Sequence, residues 1–318
     1  MISQQNNLHR IYTQKEKTEN QNISCLKDDE QKKQERQHLL DDEDMRSFSI
    51  QSTPTAIFKK TSILDNDDKQ HYLRIGIVQY ETRTTDTFLN TMMQEIKEYS
   101  EKNGYHYFRG GLNNDLTDIC PYYAKVFCVY RYMMENKHKL DYIMFLDSDC
   151  FIYDKEVGLE TIIRTIFFAD DDKKEKEYCL AVTEHPYNKS SHAVNAGHYI
   201  LKMNEKAFQL MKDWVDLYCP SCWTRHENGR WMCIQPNGQR CLWSGQYYEQ
   251  GDLHLFLLPT FEQYIYFDTQ NKLFANCDTI DFQRQNSLMP YVVHLCSYLK
   301  TPEQKKRVLS YYEKQRRK

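Results

Sequence analysis

Beyond residue 70 the sequence predicts an α/β fold with a mostly parallel central sheet flanked by helices. Short apolar runs alternate with amphipathic stretches of helical period over the first half of that region. The most apolar run, YIMFL within LDYIMFLDSDCFI (140–152), shows no polar alternation, as a strand covered on both faces requires. Asp86, Asn103-Gly104 and Pro121 supply helix start and stop signals at the joints.

Taken in order, RIGIVQY (74–80) reads as a buried strand. Asp86 caps a helix running to about Lys102, with Phe88, Met92, Ile96 and Tyr99 on one face. Asn103-Gly104 ends it, and YHYF (105–108) is the next strand. Pro121 opens PYYAKVFCVYRYMMENK, whose Tyr123, Phe127, Tyr130 and Met134 form a stripe. YIMFLD (142–147) is the central strand, followed by helix VGLETIIRTIFFA (157–169) and strands CLAVTEH (179–185) and AGHYILKM (196–203). Helix EKAFQLMKDWVDLY (205–218) leads into a Cys-rich insertion at 219–245. QYYEQGDLHLFLL reads as helix, EQYIYFD and YVVHLC as late strands, and TPEQKKRVLSYYEKQRRK as a terminal helix with Pro302 in its first turn.

The chain has 318 residues, 40% hydrophobic and 14% aromatic with 24 tyrosines, enough to bury a sizeable core. A formal charge of −3 and a pI near 6.4 give no support for a nucleic-acid partner or an anionic membrane surface. No apolar run of about 18 residues is present, so no transmembrane segment is visible, and the N-terminus lacks the apolar core of a secretory signal. Residues 1–70, rich in Gln, Asn and charged groups, read as a disordered tail compatible with a short helix at 31–45; residues 71–318 read as the folded domain. Within the insertion, Cys219, Cys222, Cys233 and Cys241 suit zinc, two disulfides or free thiols, and the spacing alone does not choose.

Two carboxylates, Asp147 and Asp149, end the central strand, at the carboxyl edge where such sheets bind ligands. In an extended chain the D-x-D spacing sends both to one side. Two hard oxygen ligands at a cleft suit Mn²⁺ or Mg²⁺ and leave coordination positions for a diphosphate. The alternative has Asp147 capping the turn and Asp149 solvated.

The order of GYHYF, YYAKVFCVYRYMME, DYIMFLDSDCFI, VNAGHYILKMNEKAFQLMKDWVDLY, YYEQGDLHLFL and YVVHLCSYLK resembles retaining glycosyltransferase family 34, over roughly residues 72–300. The resemblance implies the GT-A fold, with a Rossmann-like nucleotide-binding half. It implies a nucleoside-diphosphate sugar donor, a glycan or other hydroxyl acceptor, and Mn²⁺ or Mg²⁺ held by Asp147, Asp149 and His294. Lys125, in Tyr123-Ala124-Lys125, Ser148 and Lys300 would contact the donor; Asn195, in Asn195-Ala196-Gly197, with Gln250 and Glu249 would stand at the reacting carbon. A solvated Lys125 and a structural His294 are the alternatives at those positions. Three departures stand out: IGIVQYETR differs from the family's nucleotide-binding opening, Ser297 falls near a family Gly, and the 219–245 insertion sits where acceptor loops would be. Members are usually Golgi-anchored, which implies the secretory pathway, whereas this chain shows no signal or anchor and would be cytoplasmic if its N-terminus is complete. Oligomeric state is not legible.

Competing classes are a catalytically inactive binding protein on the same fold, a nucleotidyltransferase and a metal-dependent phosphohydrolase. The second would want a Gly- and Arg-rich loop after the first strand, where YETRTT has Arg83 but no glycine. The third needs a further acidic cluster.

Overall fold

The structure, a computed structural model, describes residues 72–112, 116–168, 176–183, 194–242, 245–269, 273–276, 290–295 and 301–316. The 1–70 tail, its 31–45 helix, Ser297 and Lys300 lie outside the described residues. Among the described residues, the main sheet is built from β1 (Ile75–Tyr80), β2 (His106–Gly110), β3 (Tyr142–Leu146), β5 (Leu180–Thr183), β6 (His198–Lys202) and β9 (Ile265–Asp268), in the order β2-β1-β3-β6-β5-β9. β1 pairs in parallel with β2 and β3, and β5 with β9; β6 alone runs antiparallel to both its neighbours. All residues of β1, β3 and β5 are buried, which is why those segments read as continuous apolar runs rather than alternating ones.

The helices obey the sequence signals. α1 (Thr87–Asn103) starts at Asp86, whose carboxylate accepts from the Leu89 N–H at 3.0 Å, and stops at Gly104 in the left-handed region, φ 74°. α2 (Pro121–Glu135) takes Pro121 at its first position. α3 (Leu159–Phe167) and α4 (Glu205–Asp216) follow, the latter capped by Asn204. α1 and α3 cover one face of the sheet through Ile96, Tyr99, Leu159 and Ile163; α2 and α4 cover the other through Tyr123, Val126, Val129, Leu210 and Trp214. The stripe expected on α2 is displaced: Tyr123 is buried, Phe127 and Tyr130 are half-buried, and Met134 faces solvent, while Cys128, Val129, Tyr132 and Met133 fill the core. α2 is buried around so much of its circumference that a narrow stripe understates its contact.

A smaller sheet joins β4 (Cys150–Ile152), β11 (Val292–His294) and β10 (Phe274–Asn276), with β11 antiparallel to β4 and parallel to β10. The insertion forms a 3₁₀ turn at Pro220–Cys222 and a hairpin of β7 (Trp223–Arg225) and β8 (Trp231–Cys233). Its cysteines divide: Cys233 and Cys241 are disulfide-bonded, and Cys219 and Cys222 are thiols with sulfurs 3.0 Å apart. The expected helix over QYYEQGDLHLFLL begins only at Glu249 and is interrupted: α5 (Glu249–Asp252), a π turn at Leu253–Leu257, then α6 (Leu258–Phe261). α7 (Pro302–Arg316) closes the chain as expected. Among the described residues no helix is long and apolar enough to cross a membrane.

Asp86→Ala removes the α1 cap and is expected to lower unfolding free energy by about 1 kcal/mol. Urea denaturation checks it; an unchanged midpoint would mean that packing alone holds the first turn.

Candidate active site

The chain leaves β3 at Leu146 and turns at once. Asp147 donates its N–H to the Gly197 carbonyl at 2.7 Å, and its own carbonyl takes the Cys150 N–H at 3.0 Å. Ser148 and Asp149 thus lie in a turn, and the strand alternation expected to align the two aspartates is absent. The turn is braced from the end of β1, a part of the chain that sequence reasoning noted only as divergent. Gln79 Nε2 donates to the Asp147 carbonyl at 3.3 Å, and Ser148 Oγ donates to Glu81 Oε2 at 2.5 Å. Burial works to raise the Glu81 carboxyl, but the Arg83 guanidinium, 2.6 Å away, and Ser148 outweigh it and hold the group below its ordinary range.

His294 arrives from 145 residues downstream through the β4–β11 ladder, which pairs it with Cys150. The Leu295 N–H reaches the Asp149 carbonyl at 3.1 Å, fixing the end of β11 against the turn. His294 Nε2 lies 3.2 Å from Asp149 Oδ1 and 3.8 Å from Asp147 Oδ2, so both carboxylates converge on one imidazole nitrogen. The ring occupies space that only glycine leaves open. A Cβ at residue 197 would stand 2.7 Å from His294 Nδ1 and collide with its Cε1. Cys150 Sγ is near enough to join Asp149 and His294 in a metal-binding group. Burial, however, pushes that thiol well above its ordinary value, and it lies against the Gly197 carbonyl as a donor rather than a thiolate. What remains is an oxygen–oxygen–nitrogen set that could hold Mn²⁺ or Mg²⁺. Behind it, His198 packs between the His294 and Phe274 rings, and burial drives its pKa down to about 3, keeping it neutral.

On the other side of the turn, Lys125 Nζ lies 3.2 Å from Asp147 and 3.1 Å from Glu249. Burial opposes its charge, but the two carboxylates prevail and hold it protonated. Burial raises the Glu249 carboxyl, with Lys125 acting against that shift. Gln250 Oε1 accepts the Ala196 N–H at 3.1 Å, and Asn195 Oδ1 accepts the Gly197 N–H at 2.6 Å, so both flank the entry to β6. Lys125, Asp147, Asp149, Asn195, Glu249, Gln250 and His294 therefore share one carboxyl edge of the sheet, with Ser148 turned onto Glu81. Asp252, which the sequence gave no reason to single out, accepts the Tyr123 hydroxyl and, at 2.9 Å, the Tyr247 N–H.

The model of the galactosyl transferase GMA12/MNN10 family matches residues 68–230, just over half of the chain. Among solved structures, a glycosyltransferase involved in the glycosylation of the major capsid of PBCV-1 is similar with a TM-score of 0.50 at 14% identity, covering 74% of this chain and 99% of its own. The galactosyltransferase LgtC, solved with donor and acceptor sugar analogs, gives 0.43 at 12%, covering 76% and 94%. The first of these shows a shared fold. No curated protein matches.

Two outcomes follow from this geometry. Gly197→Ala pushes the His294 ring aside and is expected to weaken Mn²⁺ binding by about 10- to 100-fold, measured by calorimetry with nucleotide present; undiminished affinity would place the cation elsewhere. Burial raises the Asp252 carboxyl to about 7. Between its ordinary value near 4 and about 7, the folded chain keeps a proton that the unfolded chain has released. Its contribution to stability is therefore full below about pH 4 and lost as pH rises toward about 7. Urea unfolding at about pH 5 and about pH 8 should show that decline in the wild type and a flatter profile in Asp252→Asn; parallel profiles would exclude Asp252 as the titrating group.

Proposed function

The chain belongs to the galactosyl transferase GMA12/MNN10 family and is a glycosyltransferase, and from that premise we propose a finer reading. It moves a hexose or pentose from a nucleoside-diphosphate sugar to a hydroxyl acceptor, with a divalent metal and retention of anomeric configuration. The observation that carries this reading is the convergence of Asp147, Asp149 and His294 at the carboxyl edge. Lys125 is shared by Asp147 and Glu249, and Asp149 adds a further carboxylate at the same edge, so the local charge there favours a bound cation. Asp147, Asp149 and His294 would hold Mn²⁺ or Mg²⁺, and the ion would supply positive charge against a departing diphosphate.

The chain's own groups do the rest. Protonated Lys125, pinned between Asp147 and Glu249, sets a fixed positive charge beside the donor site, and Lys300 is proposed as a second. The acceptor hydroxyl approaches from the face the diphosphate leaves, and a diphosphate oxygen takes its proton. Asn195 and Gln250, whose amide oxygens accept from the Gly197 and Ala196 N–H groups at the β6 entry, would stand beside the positive charge that develops on the sugar ring. One observation favours a second route: Glu249 Oε2 is buried without a hydrogen-bond partner among the described residues. In that route Glu249 attacks the anomeric carbon as the diphosphate leaves, and the acceptor oxygen then displaces the Glu249 carboxylate while passing its proton to an oxygen of the departed diphosphate.

Thermal shift with UDP, GDP and their sugars, with and without Mn²⁺, tests the reading. Stabilisation by one nucleotide only when Mn²⁺ is present is expected, and His294→Ala should abolish it while leaving the metal-free melting temperature nearly unchanged. If that variant melts early without metal yet keeps its metal-dependent shift, His294 is a packing residue and the metal reading fails.

A further inference from the structure

Two of the four cysteines in the insertion stand together outside the Cys233–Cys241 disulfide. They belong to the run Cys219-Pro220-Ser221-Cys222 that follows α4. Pro220 opens the 3₁₀ turn, and the Cys222 N–H reaches back to the Cys219 carbonyl at 3.1 Å. The turn carries both sulfurs to one side, 3.0 Å apart, against a bonded distance of about 2.05 Å. A shift of about 1 Å therefore separates the two thiols from a disulfide.

The two thiols are unlike. Cys219 is half-buried, so a dissolved reagent reaches it, whereas Cys222 is 3% exposed and packs in the core. Cys219 Sγ lies 3.2 Å from Ser221 Oγ, whose hydroxyl can donate to a thiolate there and favour it. An accessible attacking thiol backed by a buried one within a single turn is the arrangement that thiol–disulfide exchange needs. Both cysteines of the neighbouring disulfide, by contrast, are buried. The pair also sits within the brace of the candidate active site. Trp214 on α4 donates to the Glu249 carbonyl at 2.9 Å, and Trp223, directly after Cys222, donates to the Tyr247 carbonyl at 3.1 Å.

We propose that Cys219 and Cys222 form a redox site, a dithiol that a small disulfide of the glutathione class oxidises to a second disulfide in the insertion. Cys219, as the thiolate, attacks one sulfur of the oxidant, which forms a mixed disulfide and expels one thiolate. Cys222 then attacks the Cys219 sulfur and expels the second. The oxidant gains two electrons and becomes two thiols, which take up the protons that the two cysteines lose. A reduced thiol of the same class reopens the bond by the reverse steps. The closed ring spans so few residues that it restrains the unfolded chain less than a long loop would, and Cys219 keeps it accessible to exchange. Closure joins the end of α4 to the start of β7 covalently, between the two tryptophans that hold Tyr247 and Glu249. The site is independent of the transfer reaction proposed above.

The full chain is equilibrated in glutathione buffers that run from strongly reducing to strongly oxidising. It is then quenched in acid, alkylated and mapped by peptide mass spectrometry. The Cys219–Cys222 bond is expected to rise from below about a tenth of the chains to above about nine tenths across the series, while Cys233–Cys241 stays closed. Cys222→Ser removes the second attack and should accumulate glutathione on Cys219. Cys219→Ser should leave Cys222 unmodified, because burial shields it. Cys219 and Cys222 remaining thiols in the most oxidising wild-type sample overturns the proposal, whatever the variants do. So does a Cys219–Cys222 bond that no buffer opens, which would make it a structural staple. One equivalent of zinc on the chain as isolated, measured by plasma mass spectrometry, also overturns it, since metal-bound thiolates would then be the resting state.

Discussion

A buried ammonium between two carboxylates ties the candidate site together. Lys125 projects from α2, Asp147 follows β3 and Glu249 begins α5, so one cation fixes three elements whose backbones share no ladder. Taking such charges out of water is costly, and deleting one partner of a buried pair costs about 3–5 kcal/mol because the other is left uncompensated. The arrangement is therefore better understood as a device for register than as a source of stability. It sets where α5 may start, and with it the positions of Gln250 and Tyr248. Lys125 lies 3.2 Å from both Asp147 oxygens, and one of them, Oδ2, is also 3.8 Å from His294 Nε2.

The second organising element is the reversed strand. Five of the six described strands of the main sheet point the same way, and their carboxyl ends supply Glu81, Asp147 and the turn after it. β6 runs against them, so its start lies at that same edge and brings Asn195 and Gly197 into the site. A wholly parallel sheet would place those residues at the far end. The Gly197 carbonyl and N–H then serve both sides of the cleft, holding the Asp147 turn and anchoring Asn195.

Much of this was legible in the sequence. The buried strands announced themselves through YIMFL and IGIV, and Asp86, Gly104, Pro121 and Pro302 marked helix ends through chemistry that acts locally. The D-x-D was identified by residue type and spacing, and His294, Lys125 and the Glu249-Gln250 pair through the family resemblance; the structure gathers them at one edge. Other features depended on partners distant in sequence. That Ser148 turns to Glu81, or that Lys125 is shared by Asp147 and Glu249, follows from contacts between elements and leaves no periodic trace. The D-x-D segment turns instead of running on extended because partners distant in sequence hold it, the Gly197 carbonyl 50 residues on and Gln79 and Glu81 at the end of β1. The π turn at Leu253–Leu257 has the same apolar pattern as an ordinary helix, so composition could not reveal it.

The β4–β11 ladder also sets an order of events. β1, β2 and β3 with their helices involve contacts between neighbours in the chain and can form as soon as those segments exist. His294 can reach Asp149 only after a loop of about 140 residues has closed, and such closures come late because their entropy is spent before any contact rewards it. A chain emerging from the ribosome therefore has β1, β2 and β3 available to pair well before His294 can reach Asp149. Partly folded forms would keep the early strands while lacking His294 beside Asp149, so on the proposed metal reading cation binding would report that the last strand has docked.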